Sequence, residues 1–220
     1  MGVSAIVPAY NEEGWVGKTV ETLLAIPEIN EVIVCDDGST DNTSTEAREA
    51  GAIVCRSNIN RGKCQALREG AYISKGEFLA FVDADLKETA REIKKLIDVV
   101  LTDEADMAIA SFTAGKRVGL GLTRSLAYWG IRCFTGRKML APLSGQRVLK
   151  REVWDLLNFR AEGFAAEVEL TIESIQKGFR VKEIPVNMSH RCGGNDLKSF
   201  LHRGKQFMEI LNLLSQRIAR

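Results

Sequence analysis

No stretch of this chain approaches the ~20 consecutive apolar residues that a helical membrane span needs, which leaves no candidate for a spanning helix. Five cysteines (Cys35, Cys55, Cys64, Cys133 and Cys192) form no CxxC pair and are odd in number. A zinc cluster and a disulfide framework are both disfavoured, and a reducing cytosol is the expected compartment. Charge of one sign is missing too. A formal net charge of +1 offers no global attraction for nucleic acid. The turn after the first strand, AYNEE, has no glycine before Gly14. A dinucleotide fingerprint needs glycine there so that backbone can approach a pyrophosphate, and the GxxxxGK[ST] phosphate loop is absent as well. The N-terminal VSAIVPA runs straight into a polar loop, unlike a signal peptide. The expectation is a cytoplasmic protein, with a peripheral contact at the inner face of the membrane left open.

What remains is an ordinary globular composition, with 45% hydrophobic and 27% charged residues over 220 positions, which fits one domain. The first half reads as strands alternating with helices. Val3–Ala9, Glu31–Cys35, Ala52–Cys55, Glu77–Val82 and Asp106–Ser111 are short apolar or β-branched runs. Helical spacing follows at Val16–Leu24, Lys63–Ser74 and Thr89–Thr102, and Ser39 or Asp41 is placed to cap a further helix. Continuous apolar strands between helices predict a largely parallel α/β sheet covered on both faces. The second half is less regular. Helices are expected over Thr123–Phe134, Phe164–Gln176 and Leu197–Arg220, and strands over Ser144–Leu149 and Phe179–Val186. The division expected is a single domain, 1–220, with a nucleotide-binding half over about 1–112 and an acceptor-binding half over about 113–220.

Three polar clusters, YNEE, DDGSTD and DAD, each follow a strand immediately. In a parallel sheet ligands bind beyond the carboxyl ends of the strands, so all three should meet on one edge. The DAD cluster ends the apolar run FLAFV with Asp83 and Asp85, whose side chains point the same way in an extended segment. Like charges sharing a site need a cation, either a nearby lysine or arginine or a divalent metal with oxygen ligands.

In order and separation, VPAYNEE, VCDDGSTD, NRGKCQAL and FVDADL resemble the family-2 glycosyltransferases of the GT-A fold. The likeness continues through PLSGQRVLKREV, EGFAAEVEL and VKEIPV to HR, as in the small polyprenyl-phosphate hexose synthases and the glucosyl-3-phosphoglycerate synthases. The resemblance implies an α/β domain with a mostly parallel central sheet flanked by helices. It also implies an enzyme that moves a hexose from a nucleotide sugar, of the UDP-glucose or GDP-mannose type, to a phosphorylated acceptor. That acceptor is a polyprenyl phosphate or a small phosphate ester, and the cofactor is Mg2+ or Mn2+. Residue by residue, Pro8, Tyr10 and Glu12 would line the nucleoside pocket. Asp37 and Asp36 would hold base or ribose, Lys63 would face base or phosphates, and Asp83 with Ala84 would lie on the ribose side. Asp85 would ligate the metal.

Two departures shift that pattern. The polyprenyl-phosphate mannose synthases have a glutamine ligand two residues after the second aspartate, where this chain has Lys87, and an ammonium cannot ligate a metal. The glucosyl-3-phosphoglycerate synthases have a metal-binding histidine that matches His190, one of only two histidines here. Asp85 and His190 are therefore the expected metal pair. Glu167 matches the GFxxE pattern and is expected to hold sugar hydroxyls or act as general base; Glu169, two positions on, points elsewhere along a helix. Ser144, Gln146 and Arg147 match the acceptor loop, and Arg117, Arg124 and Arg191, with Lys116, would place guanidinium and ammonium groups around a phosphorylated acceptor. DDGSTD is equally suited to be a turn. The basic amphipathic C-terminal helix fits core packing somewhat better than a lipid interface. A second copy of the chain is carried as a candidate partner, and nucleic acid is not. The rival readings are a non-catalytic nucleotide-sugar-binding or regulatory protein and a sugar nucleotidyltransferase, which would want a GxGxR-like loop that the chain lacks.

Overall fold

A computed structural model describes residues 2–112, 121–157, 163, 165–190 and 197–218, with side chains of the last helix from residue 204. The strands are β1 (Val3–Ala9), β2 (Ile29–Asp36), β3 (Ile53–Arg56), β4 (Phe78–Phe81), β5 (Met107–Phe112), β6 (Arg147–Lys150) and β7 (Val181–Val186). They form one seven-stranded sheet in the order β3-β2-β1-β4-β6-β5-β7. Only β6 runs against its neighbours, pairing antiparallel with both β4 and β5. The other pairs are parallel. The expected α/β sheet is thus present, with one reversed strand at the centre of its second half.

The helices are α1 (Val16–Leu24), α2 (Thr43–Glu49), α3 (Lys63–Ile73), α4 (Lys94–Leu101), α5 (Gly121–Thr135), α6 (Arg151–Leu156), α7 (Ala165–Gln176) and α8 (Leu197–Ile218). Alternation along the strands sends side chains to opposite faces. Val3, Ala5 and Val7 of β1 with Ala80 of β4 pack against Val16, Val20 and Leu23 of α1 and Leu96, Ile97 and Val100 of α4. Ile6, Leu79 and Phe81 belong to a second core with Ala127 and Ile131 of α5, Val168 and Ile172 of α7, and Ile210 and Leu214 of α8. Gly130 lets α5 approach α8 closely, because a Cβ there would lie 2.6 Å from a Leu214 methyl.

Three local readings differ from the structure. The helix expected over Thr89–Thr102 is a 3-10 helix over Lys87–Ile93 that continues as α4; Thr89 is drawn aside by its hydroxyl bond to the Leu86 carbonyl, 2.6 Å. Neither Ser39 nor Asp41 is the N-cap of α2. That position is Asn42, while the Asp41 carboxylate accepts the Thr43 N–H from one residue further out. The sequence reading also passes over α6, a single short helix directly after β6.

Candidate active site

The carboxyl ends of β1, β2 and β4 lie side by side, and their loops are tied to one another. The Asn11 N–H donates to Ser39 Oγ at 2.9 Å, and the Glu12 N–H to Thr43 Oγ1 at 2.8 Å. Asn11 sits in the left-handed region at φ 55°, which asparagine tolerates better than most residues. Its side chain then accepts the Thr40 N–H. Asp36 is 1% exposed and is consumed internally, accepting from the Ser39 N–H and the Ser44 hydroxyl. Asp37 accepts the N–H groups of Arg61 and Gly62 at 2.8 and 2.6 Å, so it carries the loop that leads into Lys63. Pro8 ends β1 half-buried, Glu12 is half-buried, and Tyr10 is exposed at the rim.

At the end of β4, Asp83 and Asp85 meet the two kinds of cation that their spacing calls for. Lys63 Nζ lies 2.6 Å from Asp83 Oδ1 and 4.0 Å from Glu167 Oε1. His190 Nδ1 lies 3.1 Å from Asp85 Oδ1 and 3.8 Å from Asp83 Oδ2. Ligand atoms of Asp83, Asp85 and His190 all fall within 4.8 Å of one another. Burial works against the Asp83 charge, yet the Lys63 ammonium beside it holds its carboxyl below the usual range. Burial likewise opposes the Lys63 charge, and Asp83 and Glu167 more than offset it. His190 follows the same logic: burial favours the neutral ring, and the bond to Asp85 with the nearby Asp83 charge raises its pKa. Both Asp83 oxygens are committed, Oδ1 to Lys63 and Oδ2 to the Gln146 amide. Asp85 and His190 face each other instead. A carboxylate with an imidazole suits a manganese-like divalent cation, so these two side chains fit the metal pair expected of them.

Lys87 does not enter this cluster. Its backbone is left-handed at φ 48°, its N–H is bonded to Thr19 Oγ1 at 2.8 Å, and its ammonium lies over the Trp15 ring at 4.0 Å. Thr19 also donates to the Ala84 carbonyl at 2.8 Å, so α1 holds the DAD turn from beneath. That role of Thr19 is invisible in the sequence, where it is one polar position in an amphipathic helix. Phe112, which stands where the polyprenyl-phosphate mannose synthases carry an arginine directly after the strand matching DMAIAS, turns its ring edge-on to the His190 ring at 5.6 Å between centroids.

The second half closes the site from the other side. Gln146, expected to touch the acceptor, instead grips Asp83 twice, donating to its carboxylate and accepting its N–H at 2.9 Å. Arg147 is 1% exposed. Its guanidinium donates to the Ser144 carbonyl, Thr171 Oγ1 and the Glu167 carbonyl, each at 2.9 Å. Burial pulls its pKa down to about 10. Arg124 donates to the Leu140 carbonyl at 2.6 Å, away from Asp83 and Lys63 in its contacts. Arg191, Arg117 and Lys116 lie outside the described residues. Glu167 and Glu169 are both buried, at 8% and 7% exposure; Glu169 lies 3.7 Å from Arg217 on α8, whereas Glu167 faces Lys63. Burial raises the Glu167 carboxyl, with Lys63 and Arg147 pulling the other way. Its Oε2 and the Ser144 hydroxyl are buried without a hydrogen-bond partner among the described residues, and buried polar groups of this kind are what a polar ligand satisfies. A cavity of about 20 Å³, room for roughly one water, is lined by Glu167, Arg147, Gly145 and Cys64.

Comparison with known proteins follows the same outline. The family model "Glycosyl transferase family 2" matches residues 4–158. An uncharacterised protein of Methanocaldococcus jannaschii is 30% identical over 195 residues, covering 84% of this chain and 80% of its own. A low-salt glycan biosynthesis hexosyltransferase of Haloferax volcanii is 28% identical over 208 residues, covering 90% of this chain and 50% of its own length. This chain thus spans about half of that relative. Among solved structures, glucosyl-3-phosphoglycerate synthase from Mycobacterium tuberculosis in complex with Mn2+, UDP and phosphoglyceric acid superposes with a TM-score of 0.82 at 26% identity. The superposition covers 97% of this chain and 78% of that one.

Proposed function

The chain belongs to glycosyl transferase family 2, and on that premise we propose that it moves a hexose from a UDP-glucose-type donor to a phosphorylated acceptor, with Mn2+ or Mg2+ held by Asp85 and His190. The observation that carries this reading is the meeting of Asp83, Asp85 and His190 within 4.8 Å, beside Lys63 and Glu167. The likeness to a structure that holds Mn2+, UDP and phosphoglyceric acid supports it and favours a uracil base over guanine.

A bound divalent cation would neutralise the charge that develops on the diphosphate leaving group. Lys63, kept charged by Asp83 and Glu167, supplies a second positive charge to the same region. Gln146 fixes Asp83 at both its N–H and its carboxylate, which leaves the Asp83 side chain one orientation beside the ribose. Pro8, Tyr10 and Glu12 line the nucleoside side, and Asp37 shapes it through the Arg61–Gly62 backbone. A phosphate acceptor is already an anion and needs no strong base. Glu167 is therefore assigned to holding hydroxyls of the transferred sugar through its unpartnered oxygen. Ser144 offers its unpartnered hydroxyl to the acceptor, and Arg147 positions both by holding the carbonyls of Ser144 and Glu167.

A thermal-shift screen of UDP, GDP and ADP with and without MnCl2 tests this. Stabilisation grows with ligand concentration over Kd. The expected result is the largest Tm rise for UDP with manganese. A larger rise with GDP would overturn the donor base, and equal rises with and without manganese would remove the metal from Asp85 and His190.

A further inference from the structure

Between Met107 and Arg151 the chain carries nine lysines and arginines and not one aspartate or glutamate, although the whole protein has 30 basic and 29 acidic residues. Several of these cations are spent inside the fold. Arg147 is buried in its brace, Lys150 pairs with Asp103 and Asp106, and Arg151 donates to the carbonyls of Ala71, Ser74 and Gly76. Of the four left on α5 and the loop after it, Arg124 and Arg137 donate to the Leu140 and Val181 carbonyls, and Arg132 and Lys138 remain. Among the described residues no ion pair is made by any of the four. The acid nearest this loop in its contacts, Glu183, is turned onto the N–H groups of Leu140 and Ala141.

The same surface exposes large apolar side chains. Leu122 and Trp129 are seven residues apart, so they stand on one face of α5, 78% and 55% exposed. Leu140, 66% exposed, lies on the loop that follows, where its carbonyl accepts from Arg124 of α5. Arg132 lies over the Trp129 ring at 5.3 Å. The inward side of α5 is occupied by Ala127, Gly130 and Ile131 against α7 and α8, so Leu122 and Trp129 are not core residues caught at an edge.

We propose that this surface, Leu122 and Trp129 with Arg132 beside them and Leu140 and Lys138 on the loop that follows α5, seats the protein on an anionic lipid bilayer. Apolar and aromatic side chains enter the headgroup boundary while basic groups meet lipid phosphates, the chemistry of interfacial attachment. Charge complementarity decides between this and a second copy of the chain. A two-fold contact sets the same patch against itself, which would face Arg132 and Lys138 with their own copies. A negatively charged lipid surface neutralises them. The loop from Leu140 runs on to Gly145, where a Cβ would lie 2.5 Å from Lys63 Nζ, so a surface docked here would lie a few residues from the candidate active site. The proposal rests on the glycosyltransferase reading only for its consequence, that a lipid-borne phosphate comes within reach as acceptor.

Sedimentation with vesicles of phosphatidylcholine, with and without phosphatidylglycerol, reads the docking directly. The full chain should bind the anionic vesicles, lose them as salt rises, and ignore the neutral ones. Leu122→Ser/Trp129→Ser and Arg132→Glu/Lys138→Glu should each weaken binding at least about tenfold. UDP-stimulated thermal stability and donor hydrolysis in the absence of lipid should stay unchanged in both, because none of these residues touches the site. Failure of the full chain to bind anionic vesicles would overturn the proposal, as would binding that both double variants retain. A concentration-dependent dimer that both variants abolish would reassign the patch to a second copy. Loss of donor hydrolysis in the unaltered chain would instead overturn the glycosyltransferase reading and leave vesicle binding standing.

Discussion

The two halves of the site are finished to different degrees. On the side of β1 and β2, loop polar groups find partners in the neighbouring loop: Asn11 with Ser39 and Thr40, Glu12 with Thr43, Asp37 with the Arg61–Gly62 backbone. On the side of β6 and α7, Ser144 Oγ and Glu167 Oε2 are buried without a hydrogen-bond partner among the described residues, and Glu167 lines a small cavity. A nucleotide must be held in one pose through the whole reaction, which a pre-formed cradle does at little ordering cost. A group in transfer changes its bonding, and polar atoms left unsatisfied by the protein are available to it. The loops of the first half are tied to one another in advance; the second half keeps two buried polar atoms for what it binds.

Breaking the junction between the halves should have the largest effect. Asp85→Asn keeps the size of the side chain while removing the charge that a divalent cation would share with His190. Turnover of a UDP-hexose with manganese should fall by roughly 10³, with Tm little changed. A variant as active as the parent would sink the metal pair. Glu167→Gln acts within the incomplete half. It should lower transfer about 100-fold while UDP with manganese still stabilises the fold, since the nucleoside cradle is untouched. Near-normal transfer would show that Glu167 does not contact the sugar.

The smallest effect belongs to the finished half. Thr43→Val preserves shape but leaves the Glu12 N–H without its acceptor, at a cost of about 1–3 kcal/mol in stability, measurable by urea unfolding, with kcat little altered. The variant should also flatten the acid limb of the stability curve. Burial raises the Asp41 carboxyl, but bonds from the Thr43 hydroxyl and N–H bring it below its usual value. A depressed carboxyl contributes stability that is present above about pH 4 and lost as pH falls through the folded value. Without the Thr43 hydroxyl that contribution shrinks. A Thr43→Val variant with an unchanged acid limb would place the Asp41 shift elsewhere.

Much of this was legible from residue order. The apolar runs at Val3–Ala9 and Glu31–Cys35 with polar clusters behind them announce a parallel sheet with ligands at one edge, because strand burial and turn chemistry are local properties. The resemblance to the glucosyl-3-phosphoglycerate synthases, more than the scarcity of histidine, singles out His190. Legibility fails where one side chain answers to partners far along the chain. Gln146 and Arg147 sit in a loop matched to acceptor binding, yet the antiparallel β6 brings them against β4 and α7, where Gln146 holds Asp83 and Arg147 holds Glu167. Thr19 carries no pattern at all.

By itself the sequence determined the α/β architecture, the edge on which YNEE, DDGSTD and DAD gather, and the need for a cation beside Asp83 and Asp85. Those follow from alternation, turn residues and like-charge repulsion, which act within a few positions. The family resemblance had already set His190 beside Asp85, but only the tertiary structure decided how the other cations divide. Lys63 goes to Asp83, while His190 faces Asp85 and Lys87 turns away to Trp15. The separations of 20 and 105 residues in the first two pairs explain why. Which charge meets which depends on where the sheet order sets α3 and the segment after β7, and no local rule reaches that far.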